Sequence, residues 1–306
     1  MSSLSYTEAV TVGLLQGVTE LFPVSSLGHS ILLPALLGGH WKRDLDVSAD
    51  NSPYLSVLIG LHLATALALV VYFRRDWVRV IGGLATSVRD RRITTTDQKL
   101  AWMLVVATIP VGIAGLALDH LFRSALGRPQ PAAAFLALNG IVLYGAELLR
   151  RGGTGRRRAG HAPVAGEEHL DPDEQSDRRI TRLTLRQGTW IGAAQILALM
   201  PGISRSGVTI SAGVFRGLSH EDAARFAFLL ATPVIAAAAL LKVPDLMGPQ
   251  GDGIRGQVLA GSVAAFAAGY VAVRFLSRYF ENRTLTPFAI YCTVAGLGSL
   301  AYLSLG

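Results

Sequence analysis

The residues most able to carry out chemistry in this chain lie in two short polar segments. The first runs from Gln16 to His29 and reads QGVTELFPVSSLGH. Gln16 and Glu20 are four positions apart and therefore project from one face of a helix. His29 falls in the first turn of a following helix, where backbone N–H groups favour an anion. A carboxylate and an imidazole in such a segment predict acid–base or nucleophilic chemistry, although Glu20 could also be a buried carboxylate held by a hydroxyl or basic group.

The turn inside this segment supplies hydroxyl groups and open backbone. Pro23 is expected to end the first helix, because proline restricts the preceding residue and has no N–H. Ser25 or Ser26 can cap the second helix, and Gly28 allows a ligand to approach the backbone. The segment is therefore predicted to fold as a helix, a polar loop and a second helix.

The second polar segment runs from Pro201 to Thr209 and reads PGISRSGVT. Arg205 presents a planar fork of donors that suits phosphate oxygens. Ser204, Ser206, Thr209 and the N–H groups that open the next helix add neutral donors. Arg205 could also simply pair with a carboxylate such as Glu20, and the two roles are compatible. A carboxylate, an imidazole, hydroxyls and a guanidinium together favour hydrolysis of a phosphoester or phosphoanhydride over an ion pathway.

The composition of the rest of the chain is that of a membrane protein. Of 306 residues 51% are hydrophobic and only 16% are charged, and the mean hydropathy is +0.41. This excludes a disordered chain, and a single cysteine excludes a disulfide framework. Six stretches are long and apolar enough to cross a bilayer: Tyr54–Phe73, Leu100–Leu118, Ala132–Leu149, Arg225–Val243, Gln257–Leu276 and Leu285–Leu305.

The two polar segments interrupt two further apolar regions, at about residues 7–37 and 187–215. Each half of such a region is too short to span, which predicts a hairpin that enters the membrane and returns. Non-helical backbone at that depth is tolerated only inside protein or beside a watery cavity. We therefore predict an all-α polytopic membrane protein, one domain over residues 1–306, with six transmembrane helices and two re-entrant helix–loop–helix hairpins in an inverted repeat.

The distribution of basic residues predicts the orientation. Arginines follow Phe73 and Leu149 in two clusters, which places both loops in the cytoplasm and makes the first hairpin enter from outside and the second from the cytoplasm. Residues 152–177 contain hardly any apolar side chains and are predicted to be a flexible cytoplasmic linker. The net charge of +7 mostly reflects these basic loops, for which anionic lipid headgroups are the expected partners, and no motif favours nucleic acid. Runs of small residues suit close helix packing or a homodimer face.

At the two polar segments the chain resembles the undecaprenyl-diphosphatase family, the bacterial enzymes associated with bacitracin resistance. Gln16–His29 is similar to that family's Glu/Gln-Gly-x-x-Glu-Phe-x-Pro-x-Ser-Ser-x-Gly-His pattern, and Pro201–Thr209 to its Pro-Gly-x-Ser-Arg-Ser-x-x-Thr pattern. The run Thr286–Tyr291 also looks familial, so the similarity covers nearly the whole chain. One departure is that many members have a glutamate where this chain has Gln16, which cannot act as a base.

The resemblance implies hydrolysis of undecaprenyl diphosphate to the monophosphate and inorganic phosphate, which recycles the cell-wall lipid carrier. It also implies a divalent cation (Mg²⁺ or Ca²⁺), a place in the bacterial plasma membrane and a site that opens to the outer face. When the family's functional residues are transferred to the matching positions of this chain, the resemblance implies Glu20, Ser26, His29 and Arg205 as the catalytic residues. Glu20 is also expected to bind the metal. Substrate contacts are expected from Gln16, Ser25, Gly28, Ser204, Ser206 and Thr209.

Several alternatives stay open at this stage. The nucleophile could be Ser26, His29 or water. A secondary transporter or polyprenyl-phosphate flippase would share the inverted repeat and the broken helices. An intramembrane serine protease could use a Ser26–His29 dyad, but acyl transfer needs no guanidinium clamp such as Arg205.

Overall fold

The chain folds into helices throughout the part that the structure describes. The computed structural model describes residues 4–45, 53–126, 128–152, 171–248 and 253–305. The helices in chain order are α1 (Tyr6–Leu21), α2 (Ser26–Leu37), α3 (Gly39–Asp44), α4 (Pro53–Tyr72), α5 (Arg74–Asp90), α6 (Thr96–Leu126), α7 (Pro129–Gly152), α8 (Pro172–Thr181), α9 (Leu185–Ala193), α10 (Arg205–Phe215), α11 (His220–Met247), α12 (Arg255–Asn282) and α13 (Thr286–Leu305). A 3-10 turn, Ala194–Leu199, follows α9. The predicted all-helical class is confirmed.

The apolar helices agree with a multi-pass membrane protein. Within the described residues, five helices are long and apolar enough to cross a bilayer, and they lie in α6, α7, α11, α12 and α13. Helix α4 passes the same test only together with α5, to which it is bent by 85°. The buried positions of α5, such as Asp76 and Val80, recur at helical spacing, while Val78 and Ile81 on its other side are exposed. This pattern is typical of a helix that lies along a membrane surface.

Small residues hold the two interrupted helices against their neighbours. Gly13 of α1 lies directly on the backbone of Gly261 in α12, where an added Cβ would collide. Gly192 of α9 lies in the same way on the backbone of Ala107 in α6. Helices in a bilayer gain little from apolar contact alone, so close backbone approach is what fixes them. The small-residue face around Gly261 is therefore filled by α1 of the same chain.

A buried network of ion pairs ties α5, α8 and α11 together. Arg225 of α11 donates to Asp177 at 2.9 Å, to Asp76 at 2.7 Å and to Asp173 at 2.8 Å. Arg79 of α5 reaches Asp76 at 2.6 Å and Asp177 at 2.7 Å. Each buried carboxylate in this network therefore faces a guanidinium, as burial of a charge requires.

The linker predicted at residues 152–177 lies mostly outside the described residues, which resume at 171. Its last part is helical, because Asp171 caps α8 and Pro172 occupies the first turn. Asp177 is fully buried in the ion-pair network. The prediction was wrong for these residues because a polar composition indicates solvation only when the charges lack buried partners.

Basic segments that are far apart in sequence meet at one end of the helix bundle, called the basic end below. Arg150 near the end of α7, Arg179 of α8 and Arg283 after α12 line a common cavity of about 390 Å³. The start of α1 lies with the start of α12, where Gln257 donates to the carbonyl of Leu4 at 3.2 Å. Since α12 ends at the basic end, α1 begins at the opposite end of the bundle.

Candidate active site

The first break, between α1 and α2, contains a residue in an unusual backbone conformation. Phe22, just before Pro23, is extended (φ −64°, ψ 142°) and ends α1. Ser25 then adopts φ +69°, a left-handed conformation that is uncommon for residues other than glycine. Its hydroxyl accepts the N–H of Gly28 at 3.2 Å and so caps α2. Local strain of this kind persists only where the surroundings of the residue hold it in place.

The second break, between the 3-10 turn and α10, lies directly against the first. The Ser25 hydroxyl also accepts the N–H of Gly202, at 3.2 Å. Gly202 has φ +108°, and a Cβ added to Gly28 would lie 2.9 Å from the Gly202 Cα atom. Glycine is therefore required at both positions, by conformation at Gly202 and by close approach at Gly28.

A buried asparagine joins the two breaks from a third helix. Asn139 of α7 donates to the carbonyl of Pro23 at 3.0 Å and accepts the N–H of Ser204 at 3.0 Å. The hydroxyls of Ser204 and Ser206 contact the carbonyl of Phe22 at 3.4 Å and 3.1 Å. Sequence reasoning missed Asn139, although an amide inside an otherwise apolar span was an available signal.

Glu20 is the centre of the polar cluster that these contacts assemble. One carboxylate oxygen accepts from Arg205 Nη2 at 2.7 Å, across 185 positions of sequence. The other accepts from Gln16 at 2.9 Å and from the hydroxyl of Ser26. His62 Nε2 lies 3.6 Å from that second oxygen, while its Nδ1 hydrogen-bonds within α4. Glu20 is only 7% exposed, so these neighbours replace water around its charge.

His29 lies one turn after Ser26 on the same face of α2, but it has different partners. Its Nδ1 is 2.7 Å from the carbonyl of Ser25, which can only accept, so the proton is assigned to Nδ1. A neutral ring then accepts at Nε2 from the hydroxyl of Tyr291, at 2.7 Å. Within the described residues the hydrogen bonds of His29 therefore go to Ser25 and Tyr291 rather than to Glu20.

The predicted site residues other than His29 fall into two groups. In the first group, the side chains of Gln16, Ser26 and Arg205 each hydrogen-bond to Glu20. His62, which sequence reasoning did not select, lies next to the same carboxylate. The second group stabilises the conformation of the two breaks, because its polar atoms bond within the chain. It consists of Ser25, Gly28, Ser204, Ser206 and Thr209. The Thr209 hydroxyl donates to the Arg205 carbonyl at 2.7 Å. His62 carried a usable signal, because it is an imidazole inside an apolar span.

Two sets of polar atoms in the cluster are available to a ligand. Among the described residues, only Nη2 of the Arg205 guanidinium makes a hydrogen bond, so Nε and Nη1 are uncommitted donors. The side-chain oxygen of Gln16 is buried and has no hydrogen-bond partner in the described part of the chain. A guanidinium with spare N–H groups suits an anion, and an orphaned amide oxygen suits a cation or water.

The donor set also limits how a metal could be held. Within the described ranges no three histidine, cysteine or acidic side chains are grouped to bind one. Glu20 and the Gln16 oxygen offer one carboxylate and one amide oxygen. Mg²⁺ is commonly bound by one or two carboxylates together with phosphates of the substrate. The residues therefore fit a divalent cation that is held jointly by protein and substrate.

The fold and the cluster together define a polytopic membrane protein with a buried acid next to a partly buried imidazole and guanidinium, at two interrupted helices. Comparison with known proteins then identifies the family. The family model described as Bacitracin resistance protein BacA matches residues 9–298, so the chain belongs to that family.

Relatives at high identity cover almost the full length. The chain is 63% identical over 308 residues to an undecaprenyl-diphosphatase of Mycolicibacterium paratuberculosis, covering 99% of this chain and 98% of that protein. It is 63% identical over 310 residues to an undecaprenyl-diphosphatase of Mycobacterium avium, covering 99% of each. A protein of Frankia casuarinae named undecaprenyl-diphosphatase 1 is 50% identical over 361 residues, with 97% of each chain covered.

Proposed function

We propose that this chain hydrolyses undecaprenyl diphosphate to undecaprenyl phosphate and inorganic phosphate, the activity for which its relatives are named. Recycling of the cell-wall lipid carrier and bacitracin resistance follow from membership of the family. The observation that carries the proposal is the contact of Glu20 with both Arg205 and Ser26. It brings a base, a hydroxyl nucleophile and an anion-binding group to one point inside a membrane protein.

The two interrupted regions are proposed to be re-entrant hairpins in an inverted repeat. This is supported by equivalent packing, since α1 lies along α12 as α9 lies along α6, and α4 packs against α11. Helix α1 begins at the end opposite the basic end, whereas α9 follows α8 at the basic end. With the basic end in the cytoplasm, the first hairpin enters from outside, and the site is proposed to open to the outer face.

Substrate binding is proposed to use the spare donors of Arg205. The diphosphate oxygens accept from its Nε and Nη1, while Nη2 remains on Glu20 or is released from it. The guanidinium holds its N–H donors in a fixed plane, which the ammonium of a lysine at the same place would not do. The isoprenoid tail lies along apolar helix surfaces facing lipid.

For the chemical step we propose Ser26 as the nucleophile and Glu20 as its base. The Ser26 oxygen attacks the terminal phosphorus and its proton passes to Glu20, which already accepts that hydrogen bond. The bond from phosphorus to the bridging oxygen breaks and undecaprenyl phosphate leaves. Water then attacks the phosphoserine, which releases inorganic phosphate and restores Ser26. Arg205 stabilises the charge on the transferring group in both steps.

Glu20 and Gln16 are the residues proposed to hold a divalent cation, Mg²⁺ or Ca²⁺, together with the substrate. The cation would supply positive charge against the phosphate oxygens. His62, whose Nε2 lies near the same Glu20 oxygen that accepts from Ser26, is proposed to position the carboxylate. His29, with Nε2 on Tyr291, is proposed to orient substrate or water near the first turn of α2.

The proposal is tested by phosphate release from a polyprenyl diphosphate by the purified protein in detergent, with and without a chelator. We expect release that falls when the chelator removes the cation and that is lost in Ser26→Ala. The Ser304→Ala variant, at an exposed position of α13, is the control and should keep full turnover. Quenched reactions should contain a phosphorylated Ser26 peptide. Near-full turnover in Ser26→Ala would overturn the assigned nucleophile, and lipid movement without phosphate release would favour a transporter.

A further inference from the structure

A cleft with three arginines lies at the basic end, on the surface of α12 and separate from the Glu20–Arg205 cluster. Its volume is about 510 Å³. We call it the arginine cleft and define it by Arg274, Arg278 and Arg283 together with Val271, Phe275 and Tyr279. Apart from Arg283, which follows α12, these side chains come from successive turns of one helix face, so the cleft runs along the helix axis.

The three arginines of the cleft differ from the buried arginines at this end of the molecule, because they have no acidic partner among the described residues. Within the part of the chain that the structure describes, Arg274, Arg278 and Arg283 make no side-chain hydrogen bond or ion pair. Arg79 and Arg225, at the same end, are each held by two or more aspartates. The cleft therefore concentrates positive charge that the protein itself leaves uncompensated.

Helix-end electrostatics does not account for this charge. Cations near the last turn of a helix are favoured by its partial negative charge, an effect that falls off within that turn. This applies to Arg283, which follows the last residue of α12, and in part to Arg278. Arg274 lies about two turns before the end and is outside its range. A common anionic ligand explains all three positions.

The lining of the cleft changes from apolar to basic along its length. Val271 is 66% exposed and Phe275 is 51% exposed, and both lie toward the middle of α12. From Val271 to Arg283 the helix rises by about 18 Å, roughly the thickness of one leaflet of a bilayer. A free phosphate ion would use only the arginines, whereas a lipid would also cover the exposed apolar side chains.

We propose that the arginine cleft binds the phosphate headgroup of an anionic membrane lipid in the cytoplasmic leaflet. The phosphate oxygens accept from the guanidinium groups of Arg274, Arg278 and Arg283, and an acyl or prenyl chain lies over Val271 and Phe275. The Phe275 ring lines the cleft, and behind it lies the parallel ring of Phe22, with 5.9 Å between the ring centroids. The bound lipid is thus separated by one aromatic layer from the first break.

The test is native mass spectrometry of the full chain in detergent, with phosphatidylglycerol as the probe and phosphatidylcholine as the zwitterionic control. We expect phosphatidylglycerol to bind at least tenfold more tightly. The triple variant Arg274→Gln, Arg278→Gln, Arg283→Gln should weaken binding about 100-fold, because each arginine near a lipid phosphate contributes about fivefold. The matched control is Arg75→Gln, Arg92→Gln, Arg186→Gln, three exposed arginines outside the cleft, which should change binding by less than about threefold.

Further results distinguish a lipid held by the cleft from general charge attraction and from a free anion. Equal loss in the two triple variants would overturn the site, because general charge would then explain the binding. Full competition by millimolar inorganic phosphate would overturn the lipid as the ligand and assign the arginines to a free anion. If the triple variant does not fold, Arg278→Gln alone should weaken phosphatidylglycerol binding about fivefold and leave phosphatidylcholine unchanged. Retained affinity in that single variant would also contradict the proposal.

Discussion

The structural and catalytic roles of the Glu20–Arg205 ion pair can be separated by removing its two charges one at a time and then together. Arg205→Gln leaves a carboxylate without its main partner, and Glu20→Gln leaves a guanidinium in the same position. The double variant Glu20→Gln, Arg205→Gln removes both charges and keeps side chains that can still hydrogen-bond. We expect both single variants to be less stable than the double variant, and all three to be inactive.

The expected magnitudes follow from the geometry of the pair. Arg205 Nη2 lies 2.7 Å from Glu20 Oε1, and Glu20 is 7% exposed. At an effective dielectric constant of about 20, their gross attraction is about 6 kcal/mol, much of which is offset by the cost of removing both charges from water. Loss of one partner leaves the other charge buried, which costs about 3–5 kcal/mol, whereas neutralising both is expected to cost about 1 kcal/mol. Loss of the guanidinium should lower kcat by about 10³-fold or more.

Two assays on the same purified samples measure these effects. Melting temperature in detergent reports the order of stability, with the double variant above both single variants. Phosphate release from a polyprenyl diphosphate reports kcat. Arg216→Gln, the same substitution at an exposed residue that ends α10, is the matched control and should change neither quantity.

Two results would refute this reasoning. If the double variant is as unstable as the more damaged single variant, the loss comes from shape or packing rather than from an unpaired buried charge. If Arg205→Gln keeps a tenth or more of parental kcat, Arg205 does not stabilise the transferring phosphate, and its contact with Glu20 serves the fold alone.

Three further substitutions test other parts of the structure. His62→Gln should lower kcat about 10-fold or more with little change in melting temperature, because it removes an imidazole that positions the Glu20 carboxylate. An unchanged kcat would exclude this positioning role. Arg225→Gln should destabilise the protein by about 3 kcal/mol, since the buried Asp76 and Asp177 must then share the guanidinium of Arg79, and an unchanged melting temperature would contradict this. Gly202→Ala should lower stability and activity together, because φ is +108° there, whereas Gly82→Ala, with open space around its Cβ, should not.

The sequence predicted the apolar helices and the two breaks because both depend on local chemistry, whereas α5 forms where a loop was predicted after Phe73. The six predicted spans correspond to α4, α6, α7, α11, α12 and α13, since length and apolar content decide whether a segment suits a bilayer. The first break follows Leu21, because Pro23 restricts Phe22 as expected from the local sequence alone. What could be predicted at the candidate site was the identity of Glu20 and Arg205.

The remaining features depend on contacts between distant parts of the chain. Asn139 and His62 were not selected because one polar residue in an apolar span does not reveal what it faces. The helical end of the predicted linker was missed for the same reason, since its order depends on Asp177 meeting Arg225 of α11. Periodicity indicates which side of a helix is buried, but not which helix covers it.

The contacts between the two breaks also explain why a charged site can exist at this depth. Unpaired backbone groups cost several kcal/mol each away from water, so an interrupted helix needs partners inside the protein. Here each break supplies partners for the other, through Ser25 with Gly202 and through Asn139 with Pro23 and Ser204. The same contacts fix the ends of α1 and α10, and those ends carry Glu20 and Arg205. The contacts that satisfy the backbone groups of the two breaks therefore also bring the Glu20 carboxylate and the Arg205 guanidinium together. A variant that separates the breaks should lose stability and activity in proportion.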